Sequence, residues 1–137
     1  MAGVTRSRSI TFVSARSTTT RTGTSSSTLI YQEATITLTA GTWVVTAGGA
    51  VINLTGADDG AGGIFNRTTS TEVATSRGGQ ATTSTTSHTH LISLPVSITV
   101  TSDTTFCPIF DRQGASQLRA QSSASGAAGY ITAFKIA

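Results

Sequence analysis

The sequence is poor in almost everything that an active site or a disulfide-held fold requires. One cysteine, Cys107, stands among 137 residues, so no intrachain disulfide forms and packing alone must hold the fold. Its neighbours Phe106, Pro108 and Ile109 mark it as a small buried hydrophobe, with no adjacent base to activate a thiol. Charged residues are 11% of the chain, with six acids and two histidines, scattered through turn-like segments rather than gathered for acid–base work. No Gly-x-Ser-x-Gly elbow and no phosphate loop occurs. The expectation is a non-enzymatic protein without a cofactor. No apolar run approaches the roughly 18 residues that span a bilayer. The first nine residues are polar and lead into no apolar segment of the kind that makes a signal peptide. The chain therefore reads as soluble, not membrane-bound, and made without export. Strong helix formers other than alanine are also scarce, with one Lys, two Glu and one Met.

Serine and threonine fill the space that these absences leave, at roughly a third of the chain. With 14 glycines, such a composition suggests a linker. The apolar fraction of 37% and net charge of +3 argue otherwise, because disordered chains combine low hydrophobicity with high net charge. Thr, Val and Ile are stiff at χ1 and pack well on a pleated sheet. The composition predicts an all-β protein, and the length suits one domain.

Along the chain, short apolar bursts alternate with Gly/Ser/Asp/Asn turns, the pattern of a sandwich or barrel. Residues 9–14 alternate, with Ile10 and Phe12 on one face. Residues 15–27 read as a long polar loop. In 34–39 strict alternation places Ile36 and Leu38 inward. Ala40-Gly41 marks a turn into a strand at 42–47, where Gly48-Gly49 signals a bulge or a close approach of backbones. Residues 55–63 and 77–89 read as loops. Pro95 marks an edge or bend within 91–101, and the chain ends in a strand from Gly129. The sum is about eight to ten short strands with no helix, which suits a single jelly-roll sandwich over residues 9–137. An immunoglobulin-like sandwich is disfavoured because the paired cysteines that flank its Trp are missing.

Four arginines, Arg6, Arg8, Arg16 and Arg21, fall in the first 21 residues with no acid among them. They suggest a basic arm, with residues 1–8 as its core, that docks on an acidic surface. A solvated terminus is the plainer reading. The lack of interleaved aromatics argues against nucleic acid. His88 and His90 would point the same way in a strand and could share a metal, but no acid or cysteine accompanies them. Asp58 and Asp59 lie in a glycine-rich stretch that offers oxygen ligands but fits no EF-hand spacing. Neither pair is taken as a metal site. Asn53-Leu-Thr55 and Asn66-Arg-Thr68 match the glycosylation sequon, as a Thr-rich chain does by chance.

Two segments carry a family resemblance: Ala34-Thr-Ile-Thr-Leu-Thr-Ala-Gly-Thr-Trp-Val-Val-Thr-Ala47 and Gly129-Tyr-Ile-Thr-Ala-Phe-Lys-Ile-Ala137. Together they resemble the C1q/TNF-like jelly-roll modules, including those of bacteriophage virion proteins. The resemblance implies a homotrimer with the terminal strand near a threefold axis, so that Tyr130, Ile131, Ala133 and Phe134 are expected at the subunit interface. It further implies a capsid decoration (cement) protein, made in the host cytoplasm, that binds the major capsid protein on the outer capsid surface. The alternative it carries is the receptor-binding tip of a tail fibre, with residues 56–63 and 77–89 as the recognition loops. A secreted C1q-like or lectin-like module is a third reading, disfavoured by the missing signal segment.

Overall fold

A computed structural model describes residues 10–23, 29–56, 58–79, 81–112, 118–123 and 126–137. These form thirteen strands: β1 (Phe12–Ser17), β2 (Arg21–Thr22), β3 (Leu29–Tyr31), β4 (Ile36–Leu38), β5 (Gly41–Asn53), β6 (Asp58–Asn66), β7 (Thr71–Glu72), β8 (Ala81–Thr83), β9 (Thr89–Ile92), β10 (Val96–Val100), β11 (Thr104–Arg112), β12 (Leu118–Ala120) and β13 (Gly129–Lys135). No helix occurs among the described residues. The chain is an all-β sandwich of two antiparallel sheets, as the composition predicts.

Each sheet is organised by one long strand. In the first, β5 pairs with β13 and then β12 along one edge, and with β10 and then β9 along the other. Beyond them, β1 pairs with β13 and β2 with β12. In the second, β11 has β4 and β3 on one side and β6 on the other, and β6 carries β7 and β8 on its far edge. Each sheet is thus four strand positions wide, and the thirteen segments fall on the eight positions of a jelly roll. The expected eight to ten strands undercount the segments because several positions are split in two.

Pro108 accounts for one of these splits. It sits in the central strand β11, where a missing N–H is ordinarily excluded. Its carbonyl accepts from the Gln32 amide at 3.1 Å. A strand residue points its N–H and C=O the same way, so the missing donor also faces the gap between β3 and β4. The lost bond falls on that interrupted edge.

The core lies between the sheets in two clusters. One holds Leu38, Trp43, Val45, Phe106 and Ile131, and the other Ile30, Val51, Leu91, Phe110 and Leu118. Ile36 and Leu38 point inward as their alternation predicts. The Trp43 indole N–H donates to the Thr39 carbonyl at 2.9 Å, so the ring is buried without leaving a polar atom unpaired. Threonines line the outer faces and bond across strands: Thr46 with Thr132 at 2.8 Å, Thr42 with Thr99 at 3.0 Å, and Thr37 with Thr105 at 3.0 Å.

Glycine serves two different needs. Gly41 opens β5 at φ 143°, a conformation side chains rarely adopt, confirming the turn at Ala40-Gly41. Gly60 and Gly62 have another purpose. A Cβ on Gly62 would lie 2.9 Å from the Ile92 backbone, and one on Gly60 would lie 2.9 Å from Leu91 Cδ1. The two sheets close on each other here, and only bare backbone fits. The expected loop over 55–63 is therefore corrected: from Asp58 onward it is strand β6. The segment 77–89 likewise contains β8, and the polar tract 15–27 contains the end of β1 and all of β2.

Candidate interaction surfaces

The outer face of the first sheet is less polar than its threonines suggest. Phe12 of β1 lies in register with Phe134 of β13, which is in turn opposite Val44 of β5. Ile10 and Ile136 continue the same face two residues beyond. Exposure is 74% for Ile10, 61% for Phe12, 41% for Phe134 and 53% for Ile136. Four large apolar side chains therefore form one strip. Beside it β1 is the edge of its sheet, with no strand on its far side among the described residues. An exposed apolar strip next to an unpaired edge is a surface that folded proteins normally cover.

The four residues expected at a subunit interface divide by strand parity. Tyr130 and Phe134 face outward, Tyr130 lying over the bare backbone of Gly48. Ile131 and Ala133 point into the sandwich, 0% and 1% exposed, as members of the core cluster around Trp43. Both are core residues of this chain.

Of the four arginines expected in the basic arm, two are described. Arg6 and Arg8 lie outside the described residues. Arg16 is in β1, opposite Tyr130 on the outer face, and Arg21 is in β2, ion-paired with Glu33. Arg16 and Arg21 thus belong to the sandwich body rather than to an arm.

His90 is an exposed residue of β9, whereas His88 precedes the strand with its Nε2 buried and without a hydrogen-bond partner. Asp58 and Asp59 are consecutive strand residues opposite Thr83 and Thr82, and the Asp59 carboxylate accepts from the Thr82 hydroxyl at 3.1 Å. Among the described residues no three His, Cys, Asp or Glu side chains gather as a metal site would require.

A concave site that the sequence did not signal lies where β2 of one sheet faces β3 of the other. It is a cleft of about 330 Å³ whose lining includes Arg21, Tyr31, Gln32, Glu33 and Arg67. A second hollow of about 270 Å³ adjoins it, sharing Tyr31 and Arg67 and adding Phe65 and Ser70. Tyr31 packs edge-to-face on Phe65 with ring centroids 4.6 Å apart, and remains 42% exposed. The Glu33 carboxylate is occupied by Arg21 and by the Thr19 hydroxyl. Arg67 has no carboxylate partner among the described residues. Gln32 is fully buried, and neither atom of its side-chain amide has a hydrogen-bond partner.

Beyond this cleft, on the outer face of the second sheet, Arg77 bonds both carboxylate oxygens of Glu72, at 2.5 and 2.8 Å, and also pairs with Asp111. The Glu72 bond holds the guanidinium pKa above its ordinary value. Cys107 is fully buried. Burial pushes its thiol pKa up to about 11, although Arg67 nearby pulls it the other way. The thiol is thus inert, as its apolar sequence context suggests.

No protein-family model matches this chain, and no curated protein matches it significantly.

Proposed function

We propose that this chain is a non-enzymatic structural protein of a bacteriophage virion: a capsid decoration protein that assembles with copies of itself into a trimer and binds the major capsid lattice. The observation that carries the reading is the strip of Ile10, Phe12, Phe134 and Ile136 beside the unpaired edge of β1. Their exposed fractions amount to a little over two whole side chains. Burying them contributes roughly 3–7 kcal/mol per protomer, at 1.5–3 kcal/mol for each fully buried side chain. Fixing two rigid bodies costs about 4–15 kcal/mol, so the strip seeds association and needs further contacts around it. A closed ring supplies them, because each copy then makes two interfaces, one with each neighbour, through different patches of its surface. The resemblance to C1q/TNF-like modules, whose terminal strand lies near a threefold axis, favours three copies. Arg6 and Arg8 are assigned to capsid docking on their charge.

The test is light scattering on the purified chain, with three times the monomer mass expected. The double variant Phe12→Asp, Phe134→Asp changes only outward-facing positions and is expected to give a folded monomer. A wild-type chain that stays monomeric at tens of micromolar would remove the self-assembly on which the reading rests. Quantitative mass spectrometry of purified particles then separates the roles. A copy number near that of the major capsid protein supports decoration, and a few copies per particle support the tail-fibre tip.

A further inference from the structure

We propose that the cleft beside Tyr31 is a binding site for a carboxylated sugar, a pyranose carrying an acid group of the uronic or sialic type. The inference is independent of shell assembly, because it concerns a different part of the sandwich and can be read on the isolated chain.

The cleft has the size of a small-ligand pocket, and with the adjoining hollow it offers room for one or two sugar rings. Its most prominent side chain is an aromatic ring that does not have to be ordered on binding. The contact with Phe65 fixes the Tyr31 ring while leaving 42% of the residue exposed. A pyranose presents one face of C–H groups, and a fixed aromatic face is the surface on which such a face stacks. The phenol oxygen keeps a polar handle at the rim.

Charge selects among sugars. Glu33 is neutralised by Arg21, so the side chain that sets the electrostatic character of the cleft is Arg67. The backbone that carries it is pinned. The Arg67 amide donates to the Thr105 carbonyl at 2.8 Å, and the Asn66 carboxamide oxygen accepts from the Thr68 and Thr69 amides at 2.9 and 3.1 Å. In the same turn Ser70, which lines the second hollow, is held in the left-handed region at φ 55°. Backbone strain of this kind concentrates at ligand sites. A guanidinium anchored on a pinned turn and lacking a carboxylate of its own is matched to a planar carboxylate, which it binds through two parallel N–H···O bonds.

Saturation-transfer NMR and calorimetry with methyl glucuronide, sialyllactose and the neutral methyl glucoside test the assignment. The wild-type chain is expected to bind at least one acidic sugar at least tenfold more tightly than the glucoside. Arg67→Gln is expected to abolish that preference, and Tyr31→Ala to weaken binding of every sugar tenfold or more. Arg67 is exposed, so the thermal midpoint of Arg67→Gln should stay near that of wild type, whereas Tyr31→Ala also loses the Phe65 contact and should melt a few degrees lower while remaining folded. Equal binding of acidic and neutral sugars, no binding of any, retention of the acid preference by Arg67→Gln, or stronger binding of a Glu-containing peptide than of either acidic sugar would each overturn the proposal.

Discussion

Gln32 offers a test of the structure that needs no ligand. Its side chain is fully buried and neither amide atom is hydrogen-bonded. An orphaned buried polar group costs about 1–3 kcal/mol relative to an apolar group of the same shape. Gln32→Met removes that cost while keeping an unbranched stem of similar length. The stem matters because Gln32 rests against Gly129: a Cβ there would lie 2.7 Å from Gln32 Cγ. Leucine, branched at Cγ, would crowd that backbone. For a chain of this length the unfolding entropy is roughly 0.29 kcal/mol per kelvin, so a gain of 1–3 kcal/mol raises the midpoint by about 3–10 °C. Differential scanning calorimetry of wild type, Gln32→Met and Gln32→Leu reads the effect directly. The expected order places Met highest and Leu below it. A midpoint for Gln32→Met equal to or below wild type would show that the amide has a partner in solution, and the account of this wall would be wrong.

Cys107 makes stability depend on alkaline pH. Burial raises its folded pKa to about 11 from an ordinary 9.0, so the folded chain holds its proton where the unfolded chain has lost it. That preference is fully present below pH 9 and is lost as pH rises towards 11, a decline of about 3 kcal/mol across the window. Urea midpoints at pH 8 and pH 11 should converge more closely in Cys107→Ala than in wild type, and an equal fall in both would refute the assignment. Arg77→Met removes the guanidinium shared by Glu72 and Asp111, a partly exposed network, and should destabilise by about 1–2 kcal/mol in urea melts. A double-mutant cycle with Glu72→Gln should give a coupling of roughly 1 kcal/mol or more, and additive effects would count against the network.

The elements that were legible in the sequence are those where one signal acts alone. In 36–38 alternation is clean, and Ile36 and Leu38 are both in the core. At Gly48-Gly49 the anticipated approach of backbones is present: a Cβ on Gly48 would lie 2.8 Å from the Leu91 carbonyl. Where two signals compete, the phase was not legible. Strand β13 carries apolar residues on both faces, and size suggests Tyr130 and Phe134 for the core. The space opposite them is already filled by Trp43, Phe106 and Leu38, so Ile131 and Ala133 go inward and the aromatics face out. Residues 58–63 read as a loop because glycine has low strand propensity. The usable signal was the spacing of Gly60 and Gly62, which puts both on the face where the sheets close. The Tyr31 cleft had no linear signature, since its lining comes from β2, from β3 and the residues after it, and from the turn after β6.

The sandwich separates its two surfaces by face and by distance along β5. The apolar strip is level with Val44 through Phe134, whereas β2, one lip of the cleft, pairs with a β12 strand level with Val51. Seven strand residues span roughly 23 Å. An assembly that buries the strip therefore leaves the cleft at the opposite end uncovered, so an oligomer presents one cleft per subunit. A single cleft of this size with one charge contact supports only weak binding. Under the proposed assembly, several clefts held rigidly together would engage a polymeric acidic glycan jointly, and their combined strength would exceed any single contact by orders of magnitude where the spacing allows simultaneous engagement. The two proposals are then complementary: the apolar strip would supply the valency that makes a shallow, singly charged cleft effective.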